Sequence, residues 1–486
     1  MKISEYPAAE HLLNQALNMD VLLPDCYATY RSAIRDALIN FLERLPVSRQ
    51  LEIFISQQSM AATSTSFDRF TALLRHCPTL HKLGQIMARN EDLSPELRLQ
   101  LQTLESLPPS STLEELSPYI ERETKGEITP DGPPLAEASV AVVLPFTTPS
   151  GEKGVIKILK PGIKERLAEE LEIWPHIGSF LEERCDYYGI PSIDYRDTLT
   201  SLQTILLNET DLAMEQKHLA LMKHFYADSP DIVIPSLFPW STSRFTAMTR
   251  IDGRKITESK IRGEKFNRSL GSIVVQSLLS KPFWSEGEMA LFHGDPHSGN
   301  IFLTCDDKVA LLDWSLVVNI GKERRQTVMQ ILLAACMLSR QRITEGLLSL
   351  SRSTPDRHRL MEVADESLAE IRKGAFPSFQ WLVTLLDRAI VKASLSPADD
   401  MVLFRKVILT LLSVVRDVSQ EVSADDILTA SALANLLREA PERLFNLYSS
   451  ETGRIHLKTG DLIEAFTTWP LTAMRYWCGA VRDISR

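Results

Sequence analysis

The chain has 486 residues, 44% of them hydrophobic and 24% charged, with a formal net charge of −10. That composition is ordinary for a globular protein, supplies apolar material for about two to three domains, and excludes global disorder. The acidic balance argues against nucleic-acid binding, which needs clustered Lys and Arg, but leaves room for a local basic pocket around a small anion.

Residues 1–75 read as helices, with apolar steps of three and four in YATYRSAIRDALINFLERL. The opening MKISEYPAAEHLL has no apolar run behind its Lys and is not expected to act as a signal peptide. SQQSMAATSTSFD (56–68) reads as a loop, followed by helices through FTALLRH and CPTLHKLGQIMAR. NEDLSPELRLQLQTLESLPPS reads as a short helix stopped by Pro108 and Pro109. The clearest boundary is PDGPPLAEAS (130–139).

Beyond it the period shortens. SVAVVLPF and GVIKILK are expected strands joined by the hairpin segment TTPSGEK. Helical patterns return over 163–183 and 197–226, then DIVIPSLFPW and RFTAMTRI read as strands. A helical stretch leads to NIFL and VALLDW, again strand-like, and from about 322 the pattern is helical almost throughout. This order predicts an α+β fold. The six cysteines (Cys26, Cys77, Cys185, Cys305, Cys336, Cys478) stand far apart without a C-x-x-C pair, so reduced thiols in a cytosolic protein are expected. The apolar runs ILLAACML (331–338) and WPLTAMRYWCGAV (469–481) are too short to span a bilayer, so no transmembrane anchor is expected.

The densest chemistry lies in FHGDPHSGNIFLTCDDKVALLDWS (292–315). Phosphoryl transfer from a nucleotide needs a divalent metal across the phosphates, a cation on them, and a group that orients the acceptor. Asp295 and Asn300 have the five-residue spacing of an acceptor-facing Asp and a metal-binding Asn. Asp313 ends an apolar strand-like run, as a second metal ligand should, and oxygen donors of this kind suit Mg²⁺. A phosphate-binding Lys on an earlier strand and a Glu on a following helix should accompany them. GVIKILK offers Lys157, placed by alternation on the face opposite Ile156 and Ile158. LLNETDLAMEQKHLALMKHF reads as a helix carrying Glu209, Asp211 and Glu215, with 211 and 215 one turn apart. Each feature alone has a bland reading: a surface Lys, a solvated acidic helix face, a chance His-Gly-Asp. His293 and His297 are four apart, but the intervening Gly-Asp-Pro breaks a helix, so a His metal pair is not expected. The four elements in this order point to a kinase-like nucleotide site.

These residues resemble the UbiB/AarF/ADCK family of atypical protein-kinase-like proteins. HGDPHSGN is similar to that family's catalytic loop H-G-D-x-H-P-G-N, with Ser298 in place of Pro. Lys82, Gly84 and Gln85 match its K-x-G-Q motif, PLAEASVA fits its alanine-rich loop through Ala136, Ala138 and Ser139, and Glu209 and Asp211 match its E-x-D motif. The resemblance covers roughly residues 70–325. It implies a bilobal protein-kinase-like fold with a helical N-terminal extension and a mostly helical C-terminal region. The expected divisions are an N-terminal helical region 1–70, the K-x-G-Q extension 71–130, an N-lobe 131–250, a C-lobe core 251–325 and a helical region 326–486.

The resemblance also implies roles. ATP or ADP with Mg²⁺ would be the cofactors, with Ala136, Ala138, Ser139, Lys157 and Met248 around the nucleotide. Lys157 would pair with Glu215, and Lys82 would meet Glu209 and Asp211, the extension covering the place where a protein kinase takes its peptide. Asp295 would orient the acceptor or water, and Asn300 and Asp313 would bind the metal. The family is linked to ubiquinone and other isoprenoid-lipid metabolism through ATPase or small-molecule phosphoryl chemistry. A lipid or small-molecule acceptor, proteins of a biosynthetic complex and a cytoplasmic location with peripheral membrane contact fit that picture. The C-terminal DLIEAFTTWPLTAMRYWCGAVRDISR reads either as a helix packed on the C-lobe or as an interfacial amphipathic segment.

Several positions depart from the family pattern. Glu137 puts a carboxylate into the alanine-rich loop, Val142-Val143-Leu144 replaces Gln-Val-His, and Arg250 stands where the hinge often carries an acid. Asp313-Trp314-Ser315 lacks the Gly of the usual metal-binding triplet. Two other readings therefore stand beside the first. One is a small-molecule phosphotransferase of aminoglycoside or choline kinase type. The other is a nucleotide-binding pseudokinase scaffold, favoured by Glu137 and Ser315.

Overall fold

The helical and strand periods separate much as the pattern predicts in the computed structural model, which describes residues 7–87, 95, 98–99, 101, 112–137, 140–191, 195–445 and 453–467. Contacts gather the chain into two units, Met1–Leu221 with Pro235–Arg250, and Met222–Ile234 with Ile251–Arg486.

In the first unit the helices Arg31–Arg44, Val47–Ser59, Ser66–His76 and Pro78–Met87 share one apolar core with the long helix Ile163–Glu182. Phe41, Leu42, Ile53, Leu73, Leu74 and Leu80 are buried in it together with Leu167, Leu171 and Trp174. The expected loop at 56–68 is shorter, because helix Val47–Ser59 runs into it. Its polar residues stay helical since Gln57 and Arg69 are buried and each donates to the other's backbone carbonyl at 3.0 Å. Thr65 and Asp68 then start the next helix with reciprocal cap hydrogen bonds.

Strands β1 (Ala136–Glu137), β2 (Ala141–Thr147) and β3 (Lys153–Leu159) follow. After β4 (Ile232–Val233), which belongs to the second unit, β5 (Phe245–Thr249) completes an antiparallel sheet of order β1-β2-β3-β5. Val142, Leu144, Phe146, Ile156, Ile158, Phe245 and Ala247 share one face and bury it against Leu116 and Ile120 of helix Leu113–Thr124. The expected strand DIVIPSLFPW shrinks to β4, because Pro235 has no amide to donate to a ladder.

The second unit holds β6 (Gly253–Lys255), β7 (Met289–His293), β8 (Ile301–Thr304), β9 (Val309–Leu311) and β10 (Val317–Gly321). They form the sheet β4-β9-β8-β6 and the pair β10-β7. The strand expected as VALLDW ends at Leu311, two residues before Asp313, which turns with φ 53°. Six helices from Lys322–Cys336 to Ala424–Phe445 make the C-terminal region helical, as expected. Phe283 anchors them, its ring 5.2 Å from Phe379 and 6.4 Å from Phe404. Among the described residues no helix is long and apolar enough to cross a membrane, and residues 468–486 lie outside that description.

Candidate functional site

Strand alternation decides what the first unit presents. The register sets Ala136 opposite Val143, Val143 opposite Lys157, and Lys157 opposite Thr246, so these four share the face away from the Ile156 core. Met248 pairs with Val155 and lies on that same face. Lys157 Nζ stands 2.9 Å from both carboxylate oxygens of Glu215, with both side chains buried. Ala138 and Ser139 lie outside the described residues.

Glu137 is on the other face, opposite Val142, and its carboxylate pairs with Lys160 at 2.7 Å. The acid that disturbed the alanine-rich motif is therefore neutralised on the side away from Lys157.

Lys82, Gly84 and Gln85 are buried on helix Pro78–Met87. Lys82 forms an ion pair with Glu209, and Gln85 Nε2 lies 3.4 Å from His81 Nε2. Asp211 departs from expectation. It is exposed, and its Oδ1 accepts from the Met214 amide at 3.0 Å. The expected single helix through 197–226 is in fact two, Tyr195–Glu209 and Leu212–Phe225. Asp is a strong N-cap residue, and capping the second helix removes Asp211 from the set around Lys82.

In the second unit β7 delivers His293, Gly294 and Asp295 in succession. His293 Nε2 donates to the Leu312 carbonyl at 2.8 Å and its Nδ1 accepts from the Asp295 amide at 3.2 Å. Burial pushes the His293 pKa down, against the hydrogen bond to Leu312, so the ring acts as a neutral brace. Gly294 donates to the Leu316 carbonyl at 2.8 Å, and a Cβ there would lie 2.5 Å from Leu316 Cγ and 2.8 Å from its carbonyl oxygen. Only Gly fits that approach. His297 accepts from the Gly299 amide at 3.0 Å and brings Nε2 within 3.8 Å of Asp295 Oδ2. Lys406 Nζ, from helix Asp399–Val418, lies 3.4 Å from Asp295 Oδ1.

Asn300 Nδ2 donates to the Asp295 carbonyl at 3.1 Å, which turns the amide oxygen the other way. The Leu312 amide donates to the Asn300 carbonyl at 2.9 Å, so the β8–β9 pairing carries Asn300 and Asp313 to the same end of the hairpin. The residue that turns is Asp313 itself, for which a positive φ is tolerable, and its Oδ1 accepts from the Ser315 amide at 3.2 Å. The missing Gly at 315 thus falls at a position that does not need it. Trp314 is buried between His293, 4.6 Å away ring to ring, and Tyr226 at 6.4 Å.

Among the described residues no group of three or more His, Cys, Asp or Glu converges as a closed metal cage. The donor set nonetheless fits Mg²⁺, which takes one or two protein oxygens and completes its shell with waters and phosphates. Asn300 Oδ1 and the Asp313 carboxylate are such donors. Of the residues at Asp295, Lys406 carries no sequence signal, since it comes from a distant amphipathic helix.

Residues 121–347 match the family model described as the ABC1 atypical kinase-like domain. The chain is 28% identical over 271 residues to an uncharacterised protein of Mycobacterium tuberculosis, covering 53% of this chain and 54% of that one. It is 27% identical to a chloroplastic protein of Arabidopsis thaliana named Activity of BC1 complex kinase 3 (51% of this chain, 35% of the relative). Identity is also 27% to a probable protein kinase UbiB of Marinobacter nauticus (53% and 48%). The chain thus spans about half, or less, of the length of the curated relatives it matches. Among solved structures, a Mycobacterium tuberculosis protein in complex with erythromycin aligns at 16% identity and a TM-score of 0.47, covering 76% of this chain and 94% of that one. The α+β fold is kinase-like, and over residues 121–347 the chain is similar to the ABC1 atypical kinase-like domain and, at 27% identity, to a relative named UbiB.

Proposed function

We propose that the chain is an ATP- and Mg²⁺-dependent atypical kinase or ATPase of UbiB type. The observation that carries this reading is the buried Lys157–Glu215 pair, with Nζ 2.9 Å from each carboxylate oxygen. A Lys and a Glu are rarely both buried unless held for a purpose beyond stability, because desolvation cancels most of their attraction. A Lys fixed on a strand is the phosphate-side cation a nucleotide needs, with Ala136 and Met248 on its sheet face to meet the ligand. Asn300 and Asp313 would hold Mg²⁺, which supplies charge neutralisation at the phosphates when bound. Asp295 would orient the acceptor, a small molecule or lipid of isoprenoid-quinone metabolism, or water.

The Lys82–Glu209 pair favours the UbiB type over the aminoglycoside-kinase type, which has no use for a K-x-G-Q helix. The test is thermal shift with ATP and ADP, with and without Mg²⁺, on wild type and Asp313→Asn. A ligand of the native state raises the midpoint as RT ln(1 + [L]/Kd). A Mg²⁺-dependent shift that the variant loses supports the reading. No shift with either nucleotide at millimolar concentration rejects it. Nucleotide binding without turnover on any acceptor leaves the pseudokinase scaffold as the better reading.

A further inference from the structure

We infer that Lys406 is a catalytic residue of this site, an ammonium supplied by the C-terminal helical region that holds Asp295 and contacts the terminal phosphoryl group of the nucleotide. The inference rests on the nucleotide reading above. Lys406 lies outside the matched domain, 121–347, and no motif points to it.

Its position is set by core packing. Helix Asp399–Val418 buries Met401, Phe404, Val407, Ile408 and Leu411. The Phe404 ring sits 4.9 Å from Phe292 of β7, three residues before Asp295, and β10 fixes β7 by pairing Val318 with Phe292. Near the start of the helix, Asp400 takes Arg324 Nε at 2.6 Å. Lys406 follows Phe404 by two residues and extends to Asp295 Oδ1 at 3.4 Å, its side chain 25% exposed. A surface lysine that happens to reach a carboxylate is not tethered in this way on both sides.

The charges give the ammonium a task. Asp295 and Asp313 place two carboxylates where a polyanionic triphosphate would approach, and His293 is a neutral brace already bonded at both ring nitrogens. A fixed cation beside Asp295 offsets that repulsion where negative charge spreads over the transferred group. In the transfer, an acceptor oxygen forms the new bond to the γ-phosphorus. The bond from that phosphorus to the bridging oxygen breaks, its electron pair leaves with ADP, and the acceptor's proton passes to Asp295.

ADP lacks the γ-phosphoryl group, so Lys406 should contribute to ATP affinity alone. The experiment is calorimetric titration of the full chain with ATP and with ADP, each with Mg²⁺, for wild type, Lys406→Met and Lys406→Arg. Lys406→Met should weaken ATP binding about tenfold, as loss of one hydrogen bond to a charged group does, and leave ADP binding unchanged. Lys406→Arg should restore most of the preference for ATP. Equal weakening of both nucleotides, or no change in either, in a variant with the wild-type circular dichroism spectrum overturns the assignment and leaves the nucleotide reading standing. Wild type that binds neither nucleotide overturns the nucleotide reading and this assignment with it.

Discussion

Glu170 closes the N-terminus of the helix that carries Lys82. One of its carboxylate oxygens accepts from the Thr79 amide at 2.9 Å and from the Thr79 hydroxyl at 2.6 Å. First-turn amides of a helix have no partner within it, and an anion there is favoured by the helix dipole. Here the anion comes from the long helix Ile163–Glu182, so the cap also ties two elements together. The other oxygen takes the guanidinium of Arg49, which also donates to the His76 carbonyl at 2.8 Å.

Arg49→Met tests that tie. Burial pushes the Glu170 carboxyl up, against the hydrogen bonds from Thr79 and Arg49, and its side chain has no exposed surface. Removing the guanidinium leaves a buried carboxylate without its charge partner, at a cost of about 3–5 kcal/mol. The urea midpoint should fall accordingly. Hydrogen exchange should also speed up in residues 78–87 ahead of the rest of the first unit. Uniform exchange across the unit would show that the cap does not specifically hold that helix.

Glu215→Gln separates two contributions of the Lys157 pair. The amide still accepts one hydrogen bond but no longer balances the ammonium, so stability should fall by about 3 kcal/mol or more. For a unit of this size that is a drop in Tm of about 6–12 °C. A nucleotide brings its own negative charge to Lys157, so ATP should recover part of the loss. Identical Tm shifts with ATP in variant and wild type would place the phosphates elsewhere.

Gly294→Ala should damage the Asp295 loop through geometry alone. The new methyl would meet the Leu316 carbonyl oxygen at 2.8 Å, and that oxygen is held by the Gly294 amide itself. Crowding of this kind costs about 1–3 kcal/mol. Because Asp295 is the next residue, nucleotide-dependent activity should fall by far more than the stability loss explains. Circular dichroism alongside turnover checks this, and wild-type turnover would mean that the loop tolerates a shift at 294.

Local patterns made part of this legible. Alternation in GVIKILK set Lys157 apart from the apolar face, and the switch of period after 130–139 marked the first sheet. Contacts between distant segments leave no such trace. Helix Asp399–Val418 reads as an amphipathic helix, and nothing in its pattern says that Lys406 faces Asp295. Glu170 reads as one more charge on a helix, yet it is buried because Thr79 and Arg49 satisfy it. Helical spacing reads straight through Asp211, whereas Asp prefers to cap and starts a second helix there. The β7–β10 pair leaves no trace of this kind, because its short strands sit directly beside the motif, between the helical stretch read before it and the helical pattern read from about 322.

His456 gives the second unit a pH dependence whose sign is fixed. Its ring is fully buried, stacks on Trp284 at 5.9 Å, and donates from Nε2 to the Phe283 carbonyl at 2.7 Å. Burial, with the charges of Arg325 and Lys322, pushes its pKa down to about 4 despite the Phe283 hydrogen bond. The unfolded chain takes up that proton near the ordinary value of about 6.5. Above that pH neither state is protonated and the group contributes no pH dependence. Between about 6.5 and 4 the unfolded state alone binds the proton, so stability falls by about 1.4 kcal/mol per pH unit, or about 3 kcal/mol in all. His456→Gln keeps an N–H for the Phe283 carbonyl and removes the titration. Urea midpoints from pH 7 to pH 4 should therefore show the difference between variant and wild type moving by about 3 kcal/mol in the variant's favour. A difference that stays constant across that range would mean that His456 takes up its proton equally in both states, and that the packing of residues 453–467 on Phe283 does not exclude water from the ring.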